Sequence, residues 1–218
     1  VYSGEIQCAG LGMDVDIFNE KGNSIKQKKG ELVCKTPFPS KPIYFWNDKG
    51  NKKYLDAYFQ KYKNIWLHGD YCEKTYKNGY IIYGRSDATL NAGGIRFGTA
   101  ELYRVVENID NIIECVAVEH NLYADTEVIL FIKMRSEYKL NEDLKNLIKF
   151  EIKSNLSPKH VPSKIFEVRD IPKTKSGKIV ELSIKNIING LDVKNKNALS
   201  NPDCLKEFEY IYHKLKKD

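Results

Sequence analysis

Residues 84–102 read GRSDATLNAGGIRFGTAEL, and they divide the chain. Upstream of them, short alternating runs predict strands. Downstream, apolar residues spaced by three and four alternate with continuous apolar runs, the pattern of helices and buried strands. Glycines at 84, 93 and 94 let the backbone pass close to a ligand or take positive φ, and Arg85 and Arg96 offer planar, permanently charged forks suited to phosphate or ribose oxygens. A nucleotide or polyphosphate fits this set, and so does a glycine-rich turn with two surface arginines. Asp87 falls where the pattern switches, which makes it the expected hinge, a loop residue that absorbs a backbone rotation. The boundary is placed there, giving segments 1–86 and 87–218.

In the first segment MDVDIF (13–18) alternates Met13, Val15 and Ile17 with polar neighbours, and GELVCK (30–35) is a second run. YIIYG (80–84) follows Asn78-Gly79, the signal of a type I′ hairpin. TPFPSKPIYFWND holds three prolines and predicts an irregular loop that pins Phe38, Phe45 and Trp46 onto the sheet. In the second segment TAELYRVVEN (99–108) sets Leu102, Val105 and Val106 on one helical face with Thr99 as N-cap, and IIECVAV and EVILFIKM read as buried strands. NEDLKNLIKFEIKSNL (141–156) is a second helix, capped by Asn141, with Leu144, Leu147, Ile148 and Ile152 as its stripe. KIFEVRD (164–170) is a third strand, VELSIKNIING (180–190) a short helix stopped by Gly190, and CLKEFEYIYHKLKK after Pro202 a last helix that docks on either domain. The expected class is α+β: a small β-barrel-like subdomain, then a compact domain of a small sheet flanked by helices.

Five widely spaced cysteines without a C-x-x-C pair predict free thiols rather than zinc ligation. No apolar run approaches the roughly 18 residues of a membrane span, and VYSGEIQCAG lacks the basic start and apolar middle of a signal peptide, so a cytoplasmic location is expected. A net charge of +6 suits polyanionic partners. Nucleic acid is not expected among them, because no reader motif is present and aromatics do not interleave with a basic strip.

Two short stretches carry the chemistry. In IPKTKSGKI (171–179), Ser176-Gly177 ahead of Lys178 forms a loop that delivers a long cation, where an ammonium stabilises charge developing on a phosphoryl or carboxylate oxygen. It is not a Walker loop, which needs Gly where Pro172 stands and Ser or Thr where Ile179 stands. An ordinary surface turn reads the same way. In WLHGDYC (66–72), Asp70 follows a Gly-containing turn and suits the two hydroxyls of a ribose, although turn aspartates are common without that role. His68 has no recognisable nucleophile partner and stays unassigned.

In their order, GEIQCAGLGM, GELVC, PFPSKPIYFWND, WLHGD, IYGRSDATLNAGGIRFGTAELYRVVE, SPKHVP and IPKTKSGKIVEL resemble the C-terminal signatures of the AMP-forming acyl-CoA synthetases of the adenylate-forming superfamily, and among them the acetoacetate-activating branch. The resemblance covers nearly the whole chain. It implies that Asp70 binds the ribose hydroxyls with Arg85 beside it, that Asp87 is the hinge between two half-reactions, and that Arg96 contacts the phosphate in the adenylation state. It further implies that Gly94 lets the pantetheine arm of CoA pass, that Lys153, ahead of SPKHVP, contacts the CoA nucleotide, and that Lys178 is the catalytic lysine of the first half-reaction. ATP, CoA and acetoacetate are the implied substrates, with Mg²⁺ needed by the complete enzyme but held by none of these residues. Val180 and Glu181 follow Ser-Gly-Lys-Ile where the family often has Arg, as in the acetoacetate-activating branch. A Ser/Thr/Gly-rich phosphate loop and a Tyr-Gly-x-Thr/Ser-Glu-like segment are absent, so the resemblance implies a C-terminal piece: the last β subdomain of a large domain (1–86) and a whole small domain (87–218), partnered by a missing N-terminal part. Another short-chain acyl-CoA synthetase, or a truncated non-catalytic module binding a nucleotide or CoA, is the alternative.

Overall fold

The computed structural model describes residues 1–92, 95–122, 125–193 and 195–216. The chain separates into two units, Val1–Asp87 and Ala88–Asp218.

The first unit is an antiparallel sheet built from β1 (Val15–Phe18), β2 (Lys29–Cys34), β3 (Trp66–Lys74) and β4 (Tyr80–Arg85), in the order β1-β2-β3-β4, with helix α1 (Lys52–Tyr58) between β2 and β3. The barrel-like closure expected from sequence is not made: among the described residues β1 and β4 do not pair, and the sheet is open. Four short strands are too few to curl round and meet. Ile17, Cys72 and Tyr80 pack together, while Phe18 and Val33 pack with Tyr62 in a separate cluster. Both side-chain sets of β1 are therefore buried, and Asp16 goes in with Phe18, accepting from the Ile17 N–H (2.9 Å) and the Ser24 hydroxyl (3.1 Å) and pairing with Lys35 (3.3 Å). Burial pushes the Asp16 carboxyl up, but these donors outweigh it and hold it below the usual carboxylate range.

The proline-rich loop does anchor Phe38 and Phe45, which join Cys34, Tyr54 and Trp66, with Tyr58 stacked on Trp66 at 3.7 Å. Trp46, expected beside them, is 84% exposed. The chain reverses at Asn47 (φ 54), and the Asp48 carboxylate then takes the N–H groups of Lys53 and Tyr54 at the start of α1. Phe45 fills the inward place and its neighbour turns out. The β3–β4 connection also departs from expectation. Asn78 is left-handed (φ 65) but Gly79 is not, as a type I′ turn requires. The loop is Thr75–Gly79, closed by Thr75 N–H to Gly79 O (2.9 Å) and Asn78 N–H to Thr75 O (3.0 Å).

The second unit begins with a two-stranded ribbon, β5 (Leu90–Ala92) and β6 (Ile95–Phe97), followed by α2 (Thr99–Val106). Gly98, not Thr99, is the N-cap, and the Glu101 carboxylate accepts its N–H (3.2 Å). Thr99 is buried as the first helical residue. A three-stranded sheet has β8 (Thr126–Met134) at its centre, antiparallel to β7 (Ile112–Asn121) and parallel to β9 (Lys164–Glu167), reached through α3 (Glu142–Asn155). Asn141 caps α3, accepting the Leu144 N–H at 2.8 Å. Leu144, Ile148 and Ile152 are buried, but Leu147 is 44% exposed and lies outside the stripe.

One sheet face (Cys115, Ala117, Leu130, Ile132) meets α2 and α3; the other (Val116, Val118, Ile129, Phe131) meets α4 (Glu181–Ile188) and α5 (Leu205–Leu215). Covered on both sides, β8 needs apolar residues at every position, which explains its unbroken VILFI run. Helix α5 docks on this second unit, with Phe208 edge-on to Phe131 at 5.1 Å.

Candidate functional site

In the first unit the site grows from an irregularity in β3. Asp70 lies within this strand, not in a turn as its sequence suggested. Leu67 pairs with Val33 and Tyr71 with Glu31, so His68, Gly69 and Asp70 bulge opposite the single residue Leu32. Gly69 takes φ 84, and a Cβ there would stand 2.6 Å from Arg85 Nη2. Only glycine lets the guanidinium lie across the bulge. Arg85, opposite Asp70 on β4, donates through Nη1 to Asp70 Oδ1 and to the His68 carbonyl, both at 3.3 Å, while its Nε lies 3.6 Å from Asp87 Oδ1. The other Asp70 oxygen is hydrogen-bonded to His68 Nδ1. Burial pushes the Asp70 carboxyl up, yet His68 and Arg85 together bring it below the usual range, so it is an anion flanked by donors. Its side chain is 18% exposed.

His68, left unassigned from sequence, belongs to this cluster. The only sequence signal was its position two residues before Asp70 in what proves to be a strand. A second feature missed entirely is the fixing of the chain before Asp87: the Ser86 N–H donates to Gly69 O (2.9 Å), and the Ser86 hydroxyl donates to buried Glu31, whose other oxygen meets Lys61 at 3.0 Å.

In the second unit Arg96 sits on β6, its Nε donating to Thr89 Oγ1 at 2.9 Å. Gly94 lies outside the described residues. Lys153 is exposed in the last turn of α3. Lys178 stands on a tight turn in which Lys173 bridges Ile179, the Thr174 N–H donates to Lys178 O (2.8 Å) and the Lys178 N–H donates to Thr174 Oγ1 (3.1 Å). Lys173 is spent on Glu114 at 2.7 Å, whereas the exposed Lys178 ammonium pairs with no carboxylate among the described residues. The sequence-predicted residues thus form two groups: Asp70, Arg85 and Asp87 clustered in the first unit, and Arg96, Lys153 and Lys178 on separate elements of the second. Among the described residues no three His, Cys, Asp or Glu side chains gather as a metal site.

In the first unit a carboxylate is held beside a guanidinium, an acceptor next to a fork of donors, and in the second an exposed lysine stands on a tight turn. The chain is 49% identical over 208 residues to the acetoacetyl-coenzyme A synthetase of Rhizobium meliloti (strain 1021), covering 95% of this chain and 32% of that protein. Its structure matches an acetoacetyl-CoA synthetase from Streptomyces lividans with a TM-score of 0.92 at 36% identity, over 98% of this chain and 33% of that one. Over nearly its whole length this chain is homologous to acetoacetyl-CoA synthetases.

The likeness extends to a benzoate CoA ligase from Burkholderia xenovorans LB400, with a TM-score of 0.70 at 25% identity over 85% of this chain and 36% of that one. No protein-family model matches the chain. It spans about a third of the length of the synthetases it matches. The α+β class read from sequence is that of the family, with small sheets flanked by helices.

Proposed function

We propose that the chain is the C-terminal portion of an enzyme that converts acetoacetate, ATP and CoA to acetoacetyl-CoA, AMP and pyrophosphate. The 49% identity to a named acetoacetyl-CoA synthetase, on a chain whose exposed Lys178 pairs with no carboxylate among the described residues, carries this reading. An acetoacetate carboxylate oxygen attacks the α-phosphorus of ATP, and the bond to pyrophosphate breaks. The CoA sulfur then attacks the acyl carbon of acetoacetyl-AMP, AMP leaves and the thiol proton passes to solvent. Asp70 and Arg85 hold the ribose, Arg96 meets the phosphate, Gly94 and Lys153 serve CoA, and Lys178 neutralises charge at the carboxylate and bridging oxygen in the first step only. Residues 1–86 form the last β subdomain of the large domain and residues 87–218 the small domain, which swings about Asp87 between the steps. Mg²⁺ is part of the proposed complete reaction, and none of these residues is assigned to hold it. A cytoplasmic place belongs to the same proposal; no described helix is long and apolar enough to cross a membrane.

The test is AMP release by the full-length product with ATP and CoA, offered acetoacetate, acetate or a medium-chain acid in parallel. Strong preference for acetoacetate is expected. Preference for another acid would keep the chemistry and change the substrate, and no turnover with any acid would leave a binding module. Lys178→Ala should slow adenylation by about 10² to 10³ and spare thioester formation from preformed acetoacetyl-AMP.

A further inference from the structure

The turn that carries Lys178 is a short finger closed by the single bridge between Lys173 and Ile179. The segment after α4 holds it. Ser200 donates its N–H to the Lys173 carbonyl at 2.8 Å, and Leu199, 7% exposed, bridges Thr174. Asn201 does more. Its Oδ1 accepts the Lys173 N–H at 2.9 Å, and its Nδ2 donates to Asp170 Oδ2 at 2.6 Å and to the Ile171 carbonyl at 2.9 Å. One amide thus ties together the residues on both sides of Pro172, which itself has no N–H to offer. Asp170 also meets Lys133 at 2.7 Å, Lys133 lies 3.6 Å from Glu114, and Glu114 takes Lys173 Nζ at 2.7 Å, closing a ring of charges round the base of the finger.

We propose that Asn201 is a positioning residue for Lys178, and that the segment Leu199–Asn201 is part of the machinery of acyl-adenylate formation. This rests on the assignment of Lys178 to that step. Asparagine is required because the site asks for one acceptor and two donors on one short side chain; aspartate keeps the acceptor and sets a second carboxylate against Asp170. Asn201 touches no reacting atom. It acts through the Lys173 backbone, five residues before Lys178, where a misplacement of about 1 Å at the reacting end costs about 10² in rate.

The experiment measures the two half-reactions of the full-length product separately, for Asn201→Ala, Lys178→Ala and the double variant. Asn201→Ala should lose about 10- to 100-fold in adenylation while thioester formation from acetoacetyl-AMP stays within about twofold. The double variant should be no slower than Lys178→Ala alone, because a lysine that is gone cannot be mispositioned. Asn201→Asp should lose adenylation likewise and recover part of it with Asp170→Asn, which restores a donor opposite the new carboxylate. Unchanged adenylation in Asn201→Ala, or a loss that adds fully to that of Lys178→Ala, overturns the proposal. If Asn201→Ala loses both half-reactions through misfolding, the Asp170→Asn rescue decides. If Lys178→Ala itself leaves adenylation intact, the assignment of Lys178 fails instead.

Discussion

Gly69→Ala separates backbone strain from side-chain displacement. An L-residue held in the left-handed region costs about 1–2 kcal/mol. Gly69 and Gly177 both take φ 84, so alanine at either position should lose that stability. Their surroundings differ. A Cβ on Gly177 meets nothing within 4 Å, whereas one on Gly69 falls 2.6 Å from Arg85 Nη2 and 3.2 Å from its Cζ. The guanidinium is the loose end of a long side chain and will move before the strand does, leaving Asp70 Oδ1 and the His68 carbonyl. On the proposed role of Arg85 beside the ribose, losing one charged hydrogen bond of about 1.5–3 kcal/mol should lower kcat/KM for ATP about 10- to 100-fold. Urea unfolding in the full-length product should show Gly69→Ala losing at least as much stability as Gly177→Ala, the excess being the lost Arg85 contacts, and steady-state kinetics should show Gly69→Ala adding nothing to Arg85→Ala. Wild-type kcat/KM in Gly69→Ala, or a full additional loss in the double variant, would refute the account of the bulge.

Phe208→Ala removes the side chain through which α5 meets Phe131 and should cost about 3–5 kcal/mol, read as a lower urea midpoint. Tyr103→Phe deletes a hydroxyl that donates to Glu181 (2.5 Å) and accepts the Ala117 N–H (3.1 Å); the orphaned groups should cost about 1–3 kcal/mol by the same measurement. Burial pushes the Glu127 carboxyl up, but Ser163, His120 and Lys164 overcome it and bring it to about 2. With its folded value depressed, Glu127 contributes stability that is present above its ordinary value of 4.5 and lost as pH falls toward about 2. Glu127→Gln should flatten that acid limb of the stability profile, and an unchanged slope would count against the network.

The second unit was largely legible because its cores follow regular spacing: the α3 cap at Asn141, the unbroken β8 run and the stop at Gly190 are local signals. Strand β3 was not, since WLHGDYCEK places His, Gly and Asp where β-formers belong, and the pairing that makes it a strand comes from Val33, Glu31 and Arg85. Helix α1 was hidden because Asp48, which supplies its first hydrogen bonds, stands before Lys49 and Gly50. Leu147 kept the helical spacing yet faces outward, because the width of a buried stripe is set by the opposing sheet. Short motifs single out Lys178 and Asp70, and the structure puts the first on a tight turn and the second within a strand. The grip of Asn201 on Lys173, 28 residues away, has no local signature.

Burial of β8 on both faces bears on how the protein is made. Its VILFI run combines apolar and β-branched residues with no charge or proline, the composition that self-associates when left bare. β7 precedes it from the ribosome, but α3, β9, α4 and α5 all follow. Helix α5 emerges roughly 70 residues after β8, a delay of about 4–14 s at ordinary elongation rates. For that interval the face of this strand that α4 and α5 will cover stays bare on the nascent chain, the state in which self-association competes with folding.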